Sequence, residues 1–291
     1  MTIETLDARL NTIVAPDARV ESLSEDFEFT EGPVWHPHAQ HLRFSDISGN
    51  RLYQWDAETG ISIYREPSQM ANGNTYDRQG RLLSCEHATS SVVREEDGQL
   101  KVLASHYQER ELNSPNDIVV ASDGWIYFTD PTYGRHARHG VERPQQLDFQ
   151  GVYRLHPEDL TLQLLADDFE QPNGLCLSLD ERELFVADTT RRHVRRFALG
   201  ADGRLSGGSV FAESPAPDGL KLDSRGNLYA GGPGGVHVYE ADTGAQLGRI
   251  GTPAFCANFT WGGADLKTLF MTASTGLYRV PVAVAGLPLF A

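Results

Sequence analysis

Six polar residues recur along this chain, each at the head of a short apolar stretch: Glu31, Asn72, Asn116, Asn173, Asp218 and Asn258. The steps between them are 41, 44, 57, 45 and 40 residues. Two are carboxylates and four are amides. Brought together, they form a ring of oxygen donors with enough negative charge to balance one doubly charged ion. All-oxygen donors suit a hard cation, Ca²⁺ first, with Mg²⁺ and Mn²⁺ also admissible. Zn²⁺ more often takes nitrogen or sulfur, although the set does not exclude it. A simpler reading competes: Asn and Asp before Gly favour the turn into a strand whatever else they do. That reading explains less well why Glu31 leads the first repeat and Asp218 the fifth.

Whether the six residues meet depends on the elements that carry them. The clearest copies of the repeat are PNDIVVASDGWIYFTD (115–130), PNGLCLSLDERELFVAD (172–188) and PDGLKLDSRGNLYAGG (217–232). Weaker copies start near residues 30, 71 and 257. Each reads as strand, turn, strand, and further strand-like runs such as RLYQWD (51–56) and GVYRLH (151–156) lie between them. A period near 40–45 residues built of short alternating strands is the pattern of a propeller blade. Six copies predict an all-β, six-bladed β-propeller with four-stranded blades over residues 19–291, the innermost strand of each blade bordering a central tunnel. Ile3, Leu6, Leu10 and Ile13 have helical spacing before Pro16, which predicts a short N-terminal helix as an extension over 1–18. The segment that follows, RVESLSEDFEF, is expected to pair with the last blade and close the ring, removing exposed sheet edges. The long 57-residue step places an insertion at 131–150, read as a cover over one mouth of the tunnel.

Composition narrows the partners. Lys and Arg number 25 against 40 Asp and Glu, a net charge of −15, so the chain lacks the basic face that nucleic acid or an anionic membrane requires. Cys85, Cys176 and Cys256 are odd in number and widely spaced, which predicts reduced, buried thiols. No apolar run is long enough to span a bilayer, and the N-terminus does not read as a signal peptide, so the cytoplasm is the expected location. Monomer and homodimer are both compatible with the sequence.

EGPVW (31–35), LNSPNDIVVASDGWIYFTDPTYG (112–134), FQGVYRL (149–155), QPNGLCLSLDERELFVADT (171–189) and PDGLKLDSRGNLYAGG (217–232) together resemble the senescence-marker-protein/gluconolactonase family, which includes regucalcin, and are most similar to its bacterial gluconolactonases. The resemblance runs over roughly residues 20–285. It implies a six-bladed propeller with one catalytic divalent metal, a sugar-lactone substrate, and Glu31, Asn173 and Asp218 as metal ligands. Asn116 would be a fourth ligand or a substrate contact. Asp218 would also be the base or nucleophile, in competition with a water activated by the ion. Around the substrate the expected residues are Asn116, Ser114, Asp130, Tyr133, Trp35 and His87. Regucalcin-type members carry Arg at the position of Ser114 and an acidic contact near that of Tyr133, so substrate recognition departs from theirs. Two other functions use the same features: a metal-dependent phosphotriesterase-like hydrolase, and a calcium-binding propeller without turnover.

Several other groups carry a structural reading. His36, His38 and His41 fall in WHPHAQH, which reads as an exposed turn rather than a zinc site. Asp46, Glu86, Asp130 and Asp188 follow their leading residues by 14 or 15 positions and are expected to bind loop backbone. RRHVRR (191–196) reads as a strand with one exposed face, and GGPGG (231–235) lacks the Lys of a phosphate loop.

Overall fold

The computed structural model describes residues 1–290; the last residue of the expected domain, 291, lies outside them. The chain is almost entirely β, in a β-propeller-like arrangement. Four antiparallel four-stranded sheets follow one another, beginning with Thr30–His36, Ala71–Tyr76, Ile118–Val120 and Pro172–Leu177 and each running outward in chain order. The remaining long strands form one nine-stranded sheet. Six separate blade sheets were expected, and among the described residues the hydrogen bonding gives four, this larger one, and a two-residue hairpin pairing His106–Tyr107 with Arg110–Glu111. The cause is local: Gly232 bridges Cys256, joining the set that begins at Leu220–Leu222 to the set that begins at Cys256–Gly262. The leading strands nonetheless pack side by side in a closed circle, each against the next, with Cys256–Gly262 returning to Thr30–His36.

Burial grades outward along each sheet. All six residues of Ala71–Tyr76 are buried, although its sequence, ANGNTY, is largely polar. The outermost strand of the same sheet, Gln99–Ala104, exposes its first four residues. Neighbouring sheets pack face to face through apolar side chains. Leu83, Cys85 and Val92 of one meet Phe128, Tyr153 and Leu155 of the next. A fully buried side chain of this size stabilises the fold by about 1.5–3 kcal/mol, so these interfaces hold the ring together. All three cysteines are free and buried.

The predicted N-terminal helix does not form. Ile3–Thr5 is a strand on the edge of Gln246–Gly251, with Ile3 opposite Ile250, and Ala8–Thr12 is a single 3-10 turn capped by Asp7. The helical spacing identifies Leu10 and Ile13, which are buried, but Leu6 is exposed. So short a segment cannot recover the cost of helix nucleation, whereas the sheet edge offers ready partners. Gly248 makes the approach feasible, since a Cβ there would lie 2.2 Å from the Glu4 carbonyl oxygen. Glu21–Ser24 then pairs with Gly276–Pro281, so the two ends of the chain share a sheet. Among the described residues no helix is long and apolar enough to cross a membrane.

Three of the four recurring acids tie loops as expected. Asp46 accepts from the backbone N–H of Glu28, Phe29 and Gly49, Asp130 from Asn113 and Ser114, and Asp188 from Glu170, Gln171 and Arg191. Glu86 differs, binding the Thr89 hydroxyl and the Arg65 guanidinium.

Candidate active site at the strand starts

The leading residues reach the tunnel because the strands are irregular where they begin. Pairing slips between Glu31 and Val34, Ala71 and Asn74, Pro172 and Leu175, and Cys256 and Asn258. A bulge of this kind re-aims one side chain and ends regular pairing. Asn116 and Asp218 lie just ahead of their strands. Adjacent repeats supply the missing backbone partners: Gly73 N–H donates to the Asn116 carbonyl (2.8 Å), Gly174 N–H to Asp218 (3.1 Å) and Gly219 N–H to Ala257 (2.8 Å). The hydroxyls of Ser45, Thr129 and Thr272 donate to the carbonyls of Asn72, Asn173 and Asn258. Gly32 has φ +53, and a Cβ on it would lie 2.0 Å from the Asn72 carbonyl oxygen, so only glycine lets these two repeats meet beside Glu31.

A cavity of about 160 Å³ opens at this end, lined by Glu31, Asn72, His87, Asn116, Tyr133, Asn173 and Asp218, with Phe29, Ile47, His139, Thr189 and Phe255. Seven residues expected on sequence grounds are thereby sorted. Glu31, Asn116, Asn173, Asp218, His87 and Tyr133 share the cavity. Trp35 does not: it points to the other end of the tunnel, stacked on Phe270 with 5.6 Å between ring centres, because it sits four positions beyond Glu31 on a strand whose beginning faces the cavity. Two further expected contacts are also corrected. The Ser114 hydroxyl donates to the Pro131 carbonyl (2.6 Å) and accepts from Gly134 N–H (2.9 Å), and both oxygens of Asp130 are taken by backbone N–H groups. Neither has a free polar atom for a substrate. The His36–His41 group also lies away from the cavity, and His41 is buried against the Tyr76 hydroxyl rather than exposed.

The amide of Asn173 has a fixed orientation. The Thr189 hydroxyl donates to the Pro217 carbonyl (2.6 Å), so it can only accept from Asn173 Nδ2 (3.0 Å). That leaves Asn173 Oδ1 buried with no hydrogen-bond partner, an arrangement that costs free energy unless something binds there. The carboxylates tell the same story. Burial, and then the charge of Asp117, push Glu31 up to about 7, against the pull of Gly32 N–H, Asn258 and Lys221. Burial, and then the charges of Glu31 and Asp117, hold Asp218 well above the usual carboxylate range. Like charges crowded in a dry site disfavour ionisation.

These residues fit a hard divalent cation. Two carboxylates and the orphaned Asn173 oxygen are the donors such an ion takes, and a positive charge there would relieve the repulsion between Glu31 and Asp218. His87 is not a donor, since both its ring nitrogens are engaged. Among the described residues no three His, Cys, Asp or Glu side chains are placed to hold a metal ion together, so the amide oxygens are indispensable to any such site.

Sequence reasoning missed the support beneath Glu31. Asn258 Nδ2 donates to Glu31 Oε2 (3.1 Å), while Lys221 Nζ (3.2 Å) and Phe259 N–H (2.9 Å) donate to Asn258 Oδ1. Asn258 therefore holds Glu31 rather than facing the cavity. The signal for Lys221 was a lone cation inside an apolar strand, GLKL, three residues after Asp218.

The insertion crosses this mouth as expected, contributing Tyr133 and His139 to the wall. Arg135 and Arg143 both pair with Glu111, at 3.0 and 3.2 Å, pinning the segment down. Burial raises the Tyr133 phenol to about 12, with the Thr189 hydroxyl pulling the other way and the charge of Asp218 adding to the rise, so Tyr133 stays protonated at neutral pH.

A propeller-like ring with a converging oxygen-donor cavity at the strand starts defines the class. Residues 29–275 match the SMP-30/gluconolactonase/LRE-like region, and the chain belongs to that family. A gluconolactonase from Zymomonas mobilis is 29% identical over 98% of this chain and 87% of its own length. A pentonolactonase from Haloferax volcanii is 30% identical over 89% of this chain and 93% of its own. The solved structure of a gluconolactonase from Xanthomonas campestris superposes with a TM-score of 0.90 at 35% identity, covering 97% of this chain and 95% of that one.

Proposed function

We propose that this protein is a lactonase that opens a sugar lactone to its aldonic acid, using one divalent cation, Ca²⁺ by first preference, seated on Glu31, Asn173 and Asp218, with Asn116 beside them. The observation that carries this reading is the convergence of two mutually repelling carboxylates with an orphaned amide oxygen in one small cavity. We also read the nine-stranded sheet as two blades joined by the single Gly232–Cys256 bridge, which makes the ring six-bladed. The names of the relatives support a lactone substrate.

When bound, the cation polarises the lactone carbonyl and offsets the negative charge that develops on its oxygen. The chain's own residues do the rest. Asp218 takes a proton from the attacking water as its oxygen adds to the carbonyl carbon. The ring C–O bond then breaks, and Asp218 returns the proton to the departing ring oxygen, giving the hydroxy acid. Glu31 is held by Asn258 and Gly32, so it keeps its place through the cycle. Asn116 and the protonated Tyr133 orient the ring, and the 131–149 segment limits access of bulk water.

The deciding experiment follows proton release from D-glucono-1,5-lactone after chelation and after return of Ca²⁺, Mg²⁺, Mn²⁺ or Zn²⁺. Activity above spontaneous hydrolysis that is lost with chelator and restored by one ion is expected. Metal-independent turnover would remove the cation from this reading. Turnover of organophosphates but not lactones would replace the substrate class.

A further inference from the structure

The 131–149 segment does more than cover the cavity. Arg135 donates to the carbonyls of Asn113 (2.7 Å) and Pro144 (2.9 Å), the Ser48 hydroxyl donates to the Arg138 carbonyl (2.9 Å), and Arg143 donates to the His87 carbonyl (3.1 Å). These ties fix the segment to both sides of the cavity mouth. They also bring the His139 carbonyl to 2.7 Å from His87 Nδ1. A carbonyl can only accept, so Nδ1 carries the proton. Burial lowers the His87 imidazole to about 4, which keeps it neutral and leaves a lone pair on Nε2. Asn72 Nδ2 lies 3.2 Å from that nitrogen, and only the N–H side of the amide can meet a lone pair. The amide of Asn72 is therefore set with its oxygen turned away from His87, and Asn72 lines the cavity.

We infer that the His139 carbonyl, His87 and Asn72 form a positioning relay that presents Asn72 Oδ1 to the cavity as a fixed hydrogen-bond acceptor for a hydroxyl group on the lactone. His87 is then a positioning residue and Asn72 is the substrate contact. The inference rests on the lactone reading above and deepens it, because an acceptor on the wall favours hydroxyl-bearing lactones over bare ones. It also gives the long insertion a role in selectivity through one backbone oxygen.

The test compares kcat/KM for D-glucono-1,5-lactone with that for δ-valerolactone, which has the same ring without hydroxyls. Asn72→Leu should lower the ratio of the two by about threefold to tenfold, the worth of one net hydrogen bond. His87→Phe, which frees the amide to turn, should lower the ratio as well. His87→Gln, whose amide oxygen can accept from Asn72 Nδ2, should restore it. Equal losses on both lactones, or no change in the ratio for Asn72→Leu, would overturn the inference. A second measurement is independent of turnover: ¹⁵N NMR of the histidine-labelled full chain should show His87 as the neutral Nδ1–H tautomer. An Nε2–H tautomer would overturn the relay even if lactones are hydrolysed. Absence of turnover on both lactones would sink the proposed function, and the tautomer would then decide the relay.

Discussion

The two ends of the tunnel are lined by the same strands and differ in which polar groups they leave unmet. At the strand starts, Glu31, Asn72, Asn116, Asn173 and Asp218 surround a cavity of about 160 Å³. At the other end, Val34, Trp35, Leu177, Leu222 and Trp261 are joined by Asn74, Arg78, Glu181 and Lys221 around a larger one of about 220 Å³, with Leu287–Leu289 from the C-terminal segment also lining it. Size does not distinguish the site; the kind of unmet polar group does, an amide oxygen beside two crowded carboxylates at the strand starts and the indole N–H groups of Trp35 and Trp261 at the other end. Near the start of a strand, bulges and cross-repeat hydrogen bonds settle the backbone, which leaves polar side chains free to face inward. A few residues further on the pairing is regular, and the side chains alternate into the apolar contacts between sheets. One strand thus serves chemistry at one end and cohesion at the other.

The largest effect that would break this comparison is at Asp218. Asp218→Asn should lower kcat for the preferred lactone by about 10²–10⁴-fold, the usual worth of a positioned base. In the metal-free state the same variant should unfold at an equal or higher temperature than the parent, because a buried carboxylate crowded by Glu31 and Asp117 has been neutralised. Calorimetry and steady-state kinetics on the same preparation read both quantities. A variant that is active, or inactive only because it is unfolded, would place the chemistry elsewhere.

Trp35 tests the opposite end. The residue is 6% exposed and packs in a cluster with Phe27, Leu42, Phe44, Trp55 and Phe270. Trp35→Ala should cost about 3–5 kcal/mol of stability through the cavity it leaves. Its kcat/KM on the lactone should stay near the parent value at temperatures where the variant is folded. A loss of activity without loss of stability would show that the larger cavity takes part in catalysis.

The period of the leading residues, and the switch from polar head to apolar strand, were enough to read a propeller and to bring Glu31, Asn116, Asn173 and Asp218 together. That works because register in a repeat architecture is carried by sequence spacing. Three kinds of fact were not legible. One is the partner of a polar atom: nothing in LNSPND tells that the Ser114 hydroxyl is consumed by Pro131 and Gly134, because that depends on how residues 131–134 fold back. Another is direction along a strand, which sent Trp35 to the far end although it lies in the same EGPVW motif as Glu31. The last is competition between local and tertiary partners. The spacing of Ile3, Leu6, Leu10 and Ile13 suits a helix, but the free edge at Gln246–Gly251 draws Ile3–Thr5 into a sheet.

The smallest effect is also the most direct probe of the electrostatics at the strand starts. The Glu31 carboxyl is pushed up to about 7 in the folded chain, from an ordinary value of 4.5. Between those two values the folded chain holds a proton that the unfolded chain has released. Linkage then requires stability to fall as pH rises through that window. In chelator, the parent should lose several degrees of unfolding temperature between about pH 5 and pH 7. Glu31→Gln should show a shallower decline, though not a flat one, because Asp130 is also raised to about 7 and acts in the same direction. Added Ca²⁺ should flatten the parent's curve by holding Glu31 ionised, and should have less effect on the variant. If parent and variant decline in parallel without metal, Glu31 titrates as a solvated carboxyl, and the crowding that makes this end of the tunnel unlike the other is absent.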